Sequence, residues 1–222
     1  MKLWQAFLNW LYPPDVVCWA CGRETFLSEG GICKDCLQTL CVHPVADCPP
    51  ALDGLVCGYA YDGSVASAVQ RFKYQGQRWL ADPLAATVLL PEDWQIDCMI
   101  PVPLHPLRQW QRTFNQSEDL CRMLQRRYPF PIRTDLLRRK RYTYPQAKLS
   151  ADRRKTNLFD AFSAAPAVSG RSVLLVDDVT TTHSTLIECA QSLRKAGAAN
   201  VYGACACLAG HHPACSQSSD TV

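Results

Sequence analysis

The segment 173–185, with the sequence VLLVDDVTTTHST, joins two adjacent acids to a run of hydroxyl side chains. Asp177 and Asp178 follow four apolar residues. Carboxylates at the end of a buried strand suit ribose hydroxyls or a magnesium ion carried by a pyrophosphate. The unpaired first amides of the helix predicted to follow favour a phosphate group. Hydroxyl side chains suited to the same phosphate follow Val179 at Thr180, Thr181, Thr182, Ser184 and Thr185. The spacing therefore predicts a turn that binds a sugar phosphate.

A threonine-rich helix N-cap is the purely structural alternative for this segment. Such a cap needs one hydroxyl side chain, whereas five hydroxyl residues follow Val179 before residue 186. A cap also gives no reason for two adjacent acids, whose mutual repulsion destabilises a strand end. The ligand-binding interpretation accounts for both features.

Four cysteines form two CxxC pairs near the N-terminus. Cys18 and Cys21 are separated by eleven residues from Cys33 and Cys36. Two such pairs supply the four thiolates of a tetrahedral zinc site, which leaves no open position for a substrate. We therefore predict structural Zn²⁺ at these residues. Two disulfides or redox-active pairs are the alternatives, but the βαβ surroundings of a thioredoxin-like redox motif are missing.

The other cysteines lack this spacing. Cys41, Cys48 and Cys57 are predicted to be small packing residues, with a second metal site completed by His43 as the alternative. Those in strand or helix patterns are predicted to lie in the core: Cys98, Cys121, Cys189, Cys205 and Cys207. Thirteen cysteines in 222 residues would also fit a secreted disulfide protein. However, residues 1–11 are too short and interrupted for a signal peptide, and no apolar run approaches a membrane span. We expect a cytoplasmic protein with reduced thiols and no stable membrane insertion.

Positive charge is concentrated in the middle of the chain. Residues 100–160 hold 14 Lys or Arg and 5 Asp or Glu, although the net charge of the whole chain is only +3. Such a basic segment favours an anionic partner, which could be nucleic acid, a phosphorylated metabolite or pyrophosphate. A solvated basic face is the alternative. Lys73, Arg108 and Arg112 are the candidates for contacts with pyrophosphate or DNA.

Strand-like and helix-like patterns alternate over most of the chain. Strands are predicted over residues 54–61, 98–102, 172–176 and 201–208, and helices over 64–74, 80–90, 115–127 and 185–196. This alternation predicts an α/β fold with a mostly parallel sheet flanked by helices. The expected organisation is an N-terminal helix and zinc ribbon (1–58), one large domain (59–209) and a disordered tail (210–222).

The acid-and-hydroxyl segment resembles the PRPP-binding motif of type I phosphoribosyltransferases. Further motifs resemble the ComF family, which includes GntX-like DNA-utilisation proteins. Its R-x3-RGFNQ segment is similar to residues 108–116, with Thr113 in place of glycine. A later pattern of the family is similar to this chain at Arg139, Thr143, Gln146, Leu149, Arg154 and Asn157. The family's leucine-lysine pair near the start of the domain is similar to Phe72-Lys73. The resemblance covers residues 18 to about 208.

The resemblance implies a type I phosphoribosyltransferase-like domain behind a four-cysteine zinc ribbon. Asp177 and Asp178 would hold the ribose hydroxyls of PRPP, which brings Mg²⁺, and residues 181–185 would hold its 5′-phosphate. The resemblance also implies a role in natural competence, in which internalised single-stranded DNA is handled in the cytoplasm. His183 stands where the motif has glycine. Its ring could donate to the phosphate, or the substitution could weaken PRPP binding.

Three functions are compatible with these features. The first is a PRPP-binding protein that transfers phosphoribose if it is active, although no nucleophile or general base for an acceptor can be assigned. The second is a non-catalytic factor whose ribbon and basic face bind single-stranded DNA or a DNA-uptake helicase, with a regulatory or vestigial pocket. The third is a nucleotide-salvage enzyme with an added ribbon.

Overall fold

The computed structural model describes residues 16–104, 114–140 and 161–210. The helix predicted for residues 1–11 and residues 211–222 of the predicted tail lie outside the described residues. Arg108, Arg112 and all but Arg139 of the later ComF-like pattern also lie outside them. Within the described part of the chain, no helix is long and apolar enough to cross a membrane.

The N-terminal part contains a short antiparallel pair of strands followed by a helix. These are β1 (Leu27–Ser28), β2 (Ile32–Cys33) and α1 (Lys34–Thr39). The first CxxC pair precedes these strands, whereas Cys33 ends β2 and Cys36 lies in α1. Cys18, Cys33 and Cys36 are buried in the same hydrophobic cluster as the helices that follow.

The remaining elements alternate between strand and helix. In chain order they are β3 (Gly54–Ala60), α2 (Gly63–Tyr74), a 3₁₀ turn (Arg78–Leu80), α3 (Ala81–Ala86), β4 (Cys98–Pro101), α4 (Gln116–Gln125), β5 (Leu137–Arg139), β6 (Phe162–Ala164), a second 3₁₀ turn (Pro166–Val168), β7 (Ser172–Thr180), α5 (Ser184–Lys195) and β8 (Asn200–Leu208).

A four-stranded parallel sheet in the order β3-β8-β7-β4 forms the centre of the fold. The apolar part of β7 is buried on both faces, which explains its uninterrupted run of apolar residues. On one face, α2, α3 and α4 pack in a cluster that contains Phe72, Leu120 and Val176. On the other face, α5 and the antiparallel β5–β6 pair form a second cluster that contains Leu175 and Leu193.

The predicted parallel sheet with flanking helices is confirmed, but β7 and one helix differ in length from the prediction. β7 continues from Val176 to Thr180, because Asp177, Val179 and Thr180 still pair with β8. The helix predicted for 80–90 ends at Ala86, where β-branched Thr87 and Val88 and then Pro91 disfavour another turn. The pairs β1–β2 and β5–β6 were not predicted, since strands of two or three residues carry no period.

Candidate functional site

The end of β7 and the start of α5 form an open cleft at the carboxyl edge of the sheet. Residues from both elements and the turn between them line it: Asp177, Val179, Thr180, Thr181, Thr182, His183, Ser184 and Thr185. Six of the seven residues predicted to bind ribose or phosphate line this cleft; the seventh, Asp178, follows Asp177 on β7 but does not line it. We call residues 180–185 the hydroxyl turn. The threonines at 181, 182 and 185 are exposed, so their hydroxyls are accessible to a ligand.

The hydroxyl turn contains a left-handed residue immediately before α5. His183 has φ 57° and ψ 5°, a conformation that glycine adopts at no cost and histidine adopts with strain. The His183 Nδ1 and Thr180 Oγ1 atoms are 2.8 Å apart, a hydrogen bond that holds the ring against the end of β7. The sequence comparison with a glycine-containing motif thus identified the one position of this turn that requires positive φ.

Asp177 is held by two hydrogen bonds to the same carboxylate oxygen. Ser117 Oγ donates to Asp177 Oδ1 at 3.1 Å, and the Asp178 amide donates to it at 2.9 Å. Burial, followed by the adjacent negative charge of Asp178, raises the pKa of Asp177 to about 7. Asp177 therefore exchanges a proton near neutral pH, whereas an ordinary aspartate is fully ionised there.

Asp178 points to the other face of β7 and forms an ion pair with Lys73. The Lys73 Nζ atom lies 2.9 Å from Asp178 Oδ1, and the two side chains are only 16% and 12% exposed. Lys73 was predicted to contact pyrophosphate or DNA. The structure brings it to the site as the partner of an acid, and its contact with a ligand stays a prediction.

Ser117 is a site residue that the sequence did not reveal. It is positioned by Asn115, the N-cap of α4, whose side chain accepts a hydrogen bond from the Ser117 amide at 3.1 Å. The Asn115 amide group donates to the Val102 carbonyl at 3.2 Å, which ties the start of α4 to the end of β4. A capping asparagine two residues before a serine was the available signal. Nothing local indicated that this serine would meet Asp177.

The two CxxC pairs converge on one point. The sulfur atoms of Cys18, Cys21, Cys33 and Cys36 all lie within 4.8 Å of one another. The Cys21 and Cys33 sulfurs are 3.9 Å apart, and a tetrahedral zinc with bonds of about 2.3 Å requires a separation of about 3.8 Å. The Cys33 amide also donates to Cys18 Sγ at 3.3 Å. These residues, which we call the cysteine cluster, fit a four-coordinate metal.

The other cysteines form no second metal group among the described residues. Cys57 is buried as predicted, but Cys48 is exposed, so the packing role predicted for it is wrong. All five cysteines predicted for the core are buried there: Cys98, Cys121, Cys189, Cys205 and Cys207.

Comparisons with known proteins agree on one family. A model of the phosphoribosyl transferase domain matches residues 118–221. The chain is 32% identical over 209 residues to Competence protein F of Haemophilus influenzae, covering 81% of this chain and 91% of that protein. It is 34% identical over 218 residues to DNA utilization protein YhgH of Escherichia coli K12, covering 86% and 96%. A structure of glutamine phosphoribosylpyrophosphate amidotransferase from B. subtilis aligns at 20% identity with a TM-score of 0.39, over 60% of this chain and 26% of that one.

The raised pKa of Asp177 predicts a stability that falls as pH rises. Between about pH 4 and pH 7 the folded protein keeps a proton that the unfolded chain has lost, so deprotonation favours unfolding. In the Asp177→Asn variant this penalty is absent. We expect the free energy of unfolding of this variant, relative to that of wild type, to rise by roughly 2 kcal/mol from about pH 5 to pH 7. Urea denaturation at a series of pH values measures the difference.

Asp135→Asn is the matched control for this titration. Asp135 is exposed and paired with Arg133, which holds its pKa at about 2, so it is ionised in both states above about pH 5. The difference in free energy of unfolding between Asp135→Asn and wild type should therefore stay constant over the same pH range. A difference between Asp177→Asn and wild type that is independent of pH would contradict the raised pKa.

Proposed function

Since the chain belongs to the ComF family of competence and DNA-utilisation proteins, we propose that its cleft binds PRPP with Mg²⁺ and serves the use of internalised single-stranded DNA. The observation that carries the proposal is that Asp177 and the hydroxyl turn line one cleft at the edge of the sheet, with Asp178 next to Asp177 on β7. Ribose hydroxyls would donate to the carboxylates, and the 5′-phosphate would accept from the hydroxyls and first amides of α5.

The two acids suit the ribose part of such a ligand for different reasons. Asp178 is already paired with Lys73, so its carboxylate is fixed in direction before a ligand arrives. Asp177 gains from a cationic partner, because a magnesium ion on the pyrophosphate would offset the charge that burial disfavours. We place Mg²⁺ with PRPP at these acids.

Arg108 and Arg112 are proposed contacts for the pyrophosphate or for DNA. The described residues that flank their segment lie next to the cleft. The Val102 amide donates to the Val176 carbonyl at 2.9 Å, and Asn115 precedes the serine that binds Asp177. The chain therefore enters and leaves this segment beside the site, and on that ground we propose both arginines as contacts. Arginine forks match the oxygens of diphosphates and of nucleic-acid backbones.

The cysteine cluster is proposed to hold structural Zn²⁺, so that residues 1–58 form a zinc ribbon and residues 59–209 the phosphoribosyltransferase-like domain. With four sulfur ligands the ion has no open coordination position and would act by fixing the chain. If the protein is active, phosphoribosyl transfer would occur in the cleft, with the acceptor and catalytic residues unassigned. The second candidate function is that of a factor that binds single-stranded DNA or a DNA-uptake helicase, favoured by the similarity to DNA utilization protein YhgH.

Calorimetry with PRPP and Mg²⁺ tests the proposed ligand. We expect micromolar binding to wild type and at least about tenfold weaker binding to Asp178→Asn, which loses a charged acceptor. Asp82→Asn is the control, because Asp82 is 68% exposed and lies on α3 outside the cleft. Absence of heat with wild type, together with salt-sensitive binding of single-stranded oligonucleotides, would favour the DNA-binding factor over the PRPP-binding protein.

His183 is proposed to bind the 5′-phosphate through its ring. Because Nδ1 is engaged with Thr180, Nε2 is the ring nitrogen left for a phosphate oxygen. His183→Gly removes the strain of positive φ and the ring together. His183→Asn keeps a residue that tolerates this conformation but removes the imidazole. We expect both variants to bind PRPP about fivefold to tenfold more weakly, even if the glycine variant melts at a higher temperature. Tighter binding by the glycine variant would mean that histidine impairs the site.

Metal analysis tests the zinc ribbon. The purified protein should contain about one zinc per chain. Cys33→Ser should lower that content severalfold, because three thiolates hold the ion less tightly. Cys48→Ser is the control, since Cys48 is an exposed cysteine outside the cluster and its loss should leave the zinc content unchanged. An equal zinc content in both variants would refute the assignment.

A further inference from the structure

Helix α2 lies between the cysteine cluster and the cleft and contacts both. Arg71 and Lys73 stand on its last turn, and two residues correspond to about 200° of rotation, so the two side chains leave opposite sides of the helix. Lys73 reaches Asp178, the neighbour of the cleft residue Asp177. Arg71 reaches the loop that carries the first CxxC pair. One turn of helix therefore touches both sites.

The Arg71 side chain hydrogen-bonds to the backbone of that loop. Its Nη2 atom donates to the carbonyl of Ala20 at 2.8 Å and also to the carbonyl of Trp19. These are the two residues between Cys18 and Cys21, so the guanidinium clasps the turn that presents two of the four thiols. Gly22 follows directly, and a Cβ atom there would lie 3.2 Å from Arg71 Cζ, so the backbone is open where the guanidinium lies. The clasp is specific to this loop.

A second contact, two turns earlier, keeps the same face of α2 on the cluster. Ser64 lies beside the Cys36 thiol. Seven residues correspond to almost two full turns, which places Ser64 and Arg71 on one side of the helix. The ring of Trp19 also packs on Tyr59 of β3, with centroids 5.6 Å apart. The first CxxC loop and Cys36 thus pack against the same side of α2, at its end and its beginning.

We propose that Arg71 is a positioning residue through which the metal-bound cysteine cluster fixes the last turn of α2, and with it the Lys73–Asp178 ion pair, for ligand binding. The inference rests on the proposed phosphoribosyl site. A metal ion would fix the carbonyls of Trp19 and Ala20 by fixing Cys18 and Cys21. A guanidinium bound to fixed carbonyls has a defined position, whereas one bound to a loose loop does not. Metal occupancy and ligand affinity are then linked, although no cluster residue lines the cleft.

Hydrogen exchange tests the link without any ligand. When a chelator removes zinc from wild type, we expect faster amide exchange in the last turn of α2 and in β7 at residues 177–180. Arg71→Met should show that faster exchange with zinc still bound, and Arg71→Lys should restore part of the protection. Arg127→Met is the matched control, because Arg127 also clasps carbonyls, those of Ala85, Ala86 and Val88, but touches neither site.

Calorimetry with Mg²⁺ and PRPP gives the functional measurement. We expect zinc-loaded Arg71→Met to bind about fivefold or more weakly than wild type, and Arg127→Met to stay within about twofold. Unchanged exchange in β7 after zinc removal, or wild-type exchange and affinity in Arg71→Met, would overturn the inference. If wild type binds no PRPP, the proposed ligand is wrong, and the exchange measurement still decides whether Arg71 links the two sites.

Discussion

Two adjacent carboxylates at the end of a buried strand repel each other, and the surrounding fold has to offset that repulsion. The offset comes from outside β7. Lys73 on α2 neutralises Asp178, while Ser117 at the start of α4 donates to Asp177. Both contacts require these helices to end or begin beside the carboxyl edge of β7. The packing of this helical layer is thus tied to the charge of the two acids.

The local parts of this arrangement could be predicted from sequence. An uninterrupted apolar run followed by acids identified β7, and the period of Val65, Ala68, Val69 and Phe72 identified α2. Both signals depend only on neighbours along the chain. The CxxC spacing worked for the same reason, because ligand spacing within each turn is a local property, and the four sulfurs do converge.

The contacts between distant residues could not be predicted. The Lys73–Asp178 pair, the Ser117 contact and the Arg71 clasp each join residues from different elements, and no sequence period records which elements meet. The pKa of Asp177 is raised mainly by burial, which depends on the same packing of distant elements, so this shift was equally hidden. For His183, one property could be predicted from sequence and another could not. Its positive φ could be suspected from the glycine of a related motif, but its bond to Thr180 could not.

The position of the cleft follows from the alternation of side chains along β7. Val176 and Asp178 face the layer of α2 and α4, whereas Leu175 and Asp177 face the side of α5. The acids are held by residues of the first layer, but the hydroxyl turn begins the helix of the second layer. A ligand that touches both acids and the turn therefore contacts groups from both layers. The cysteine cluster packs together with the first layer, through α2, and no cysteine of the cluster lines the cleft. This asymmetry separates the contacts that hold the acids from the residues that form the hydroxyl turn.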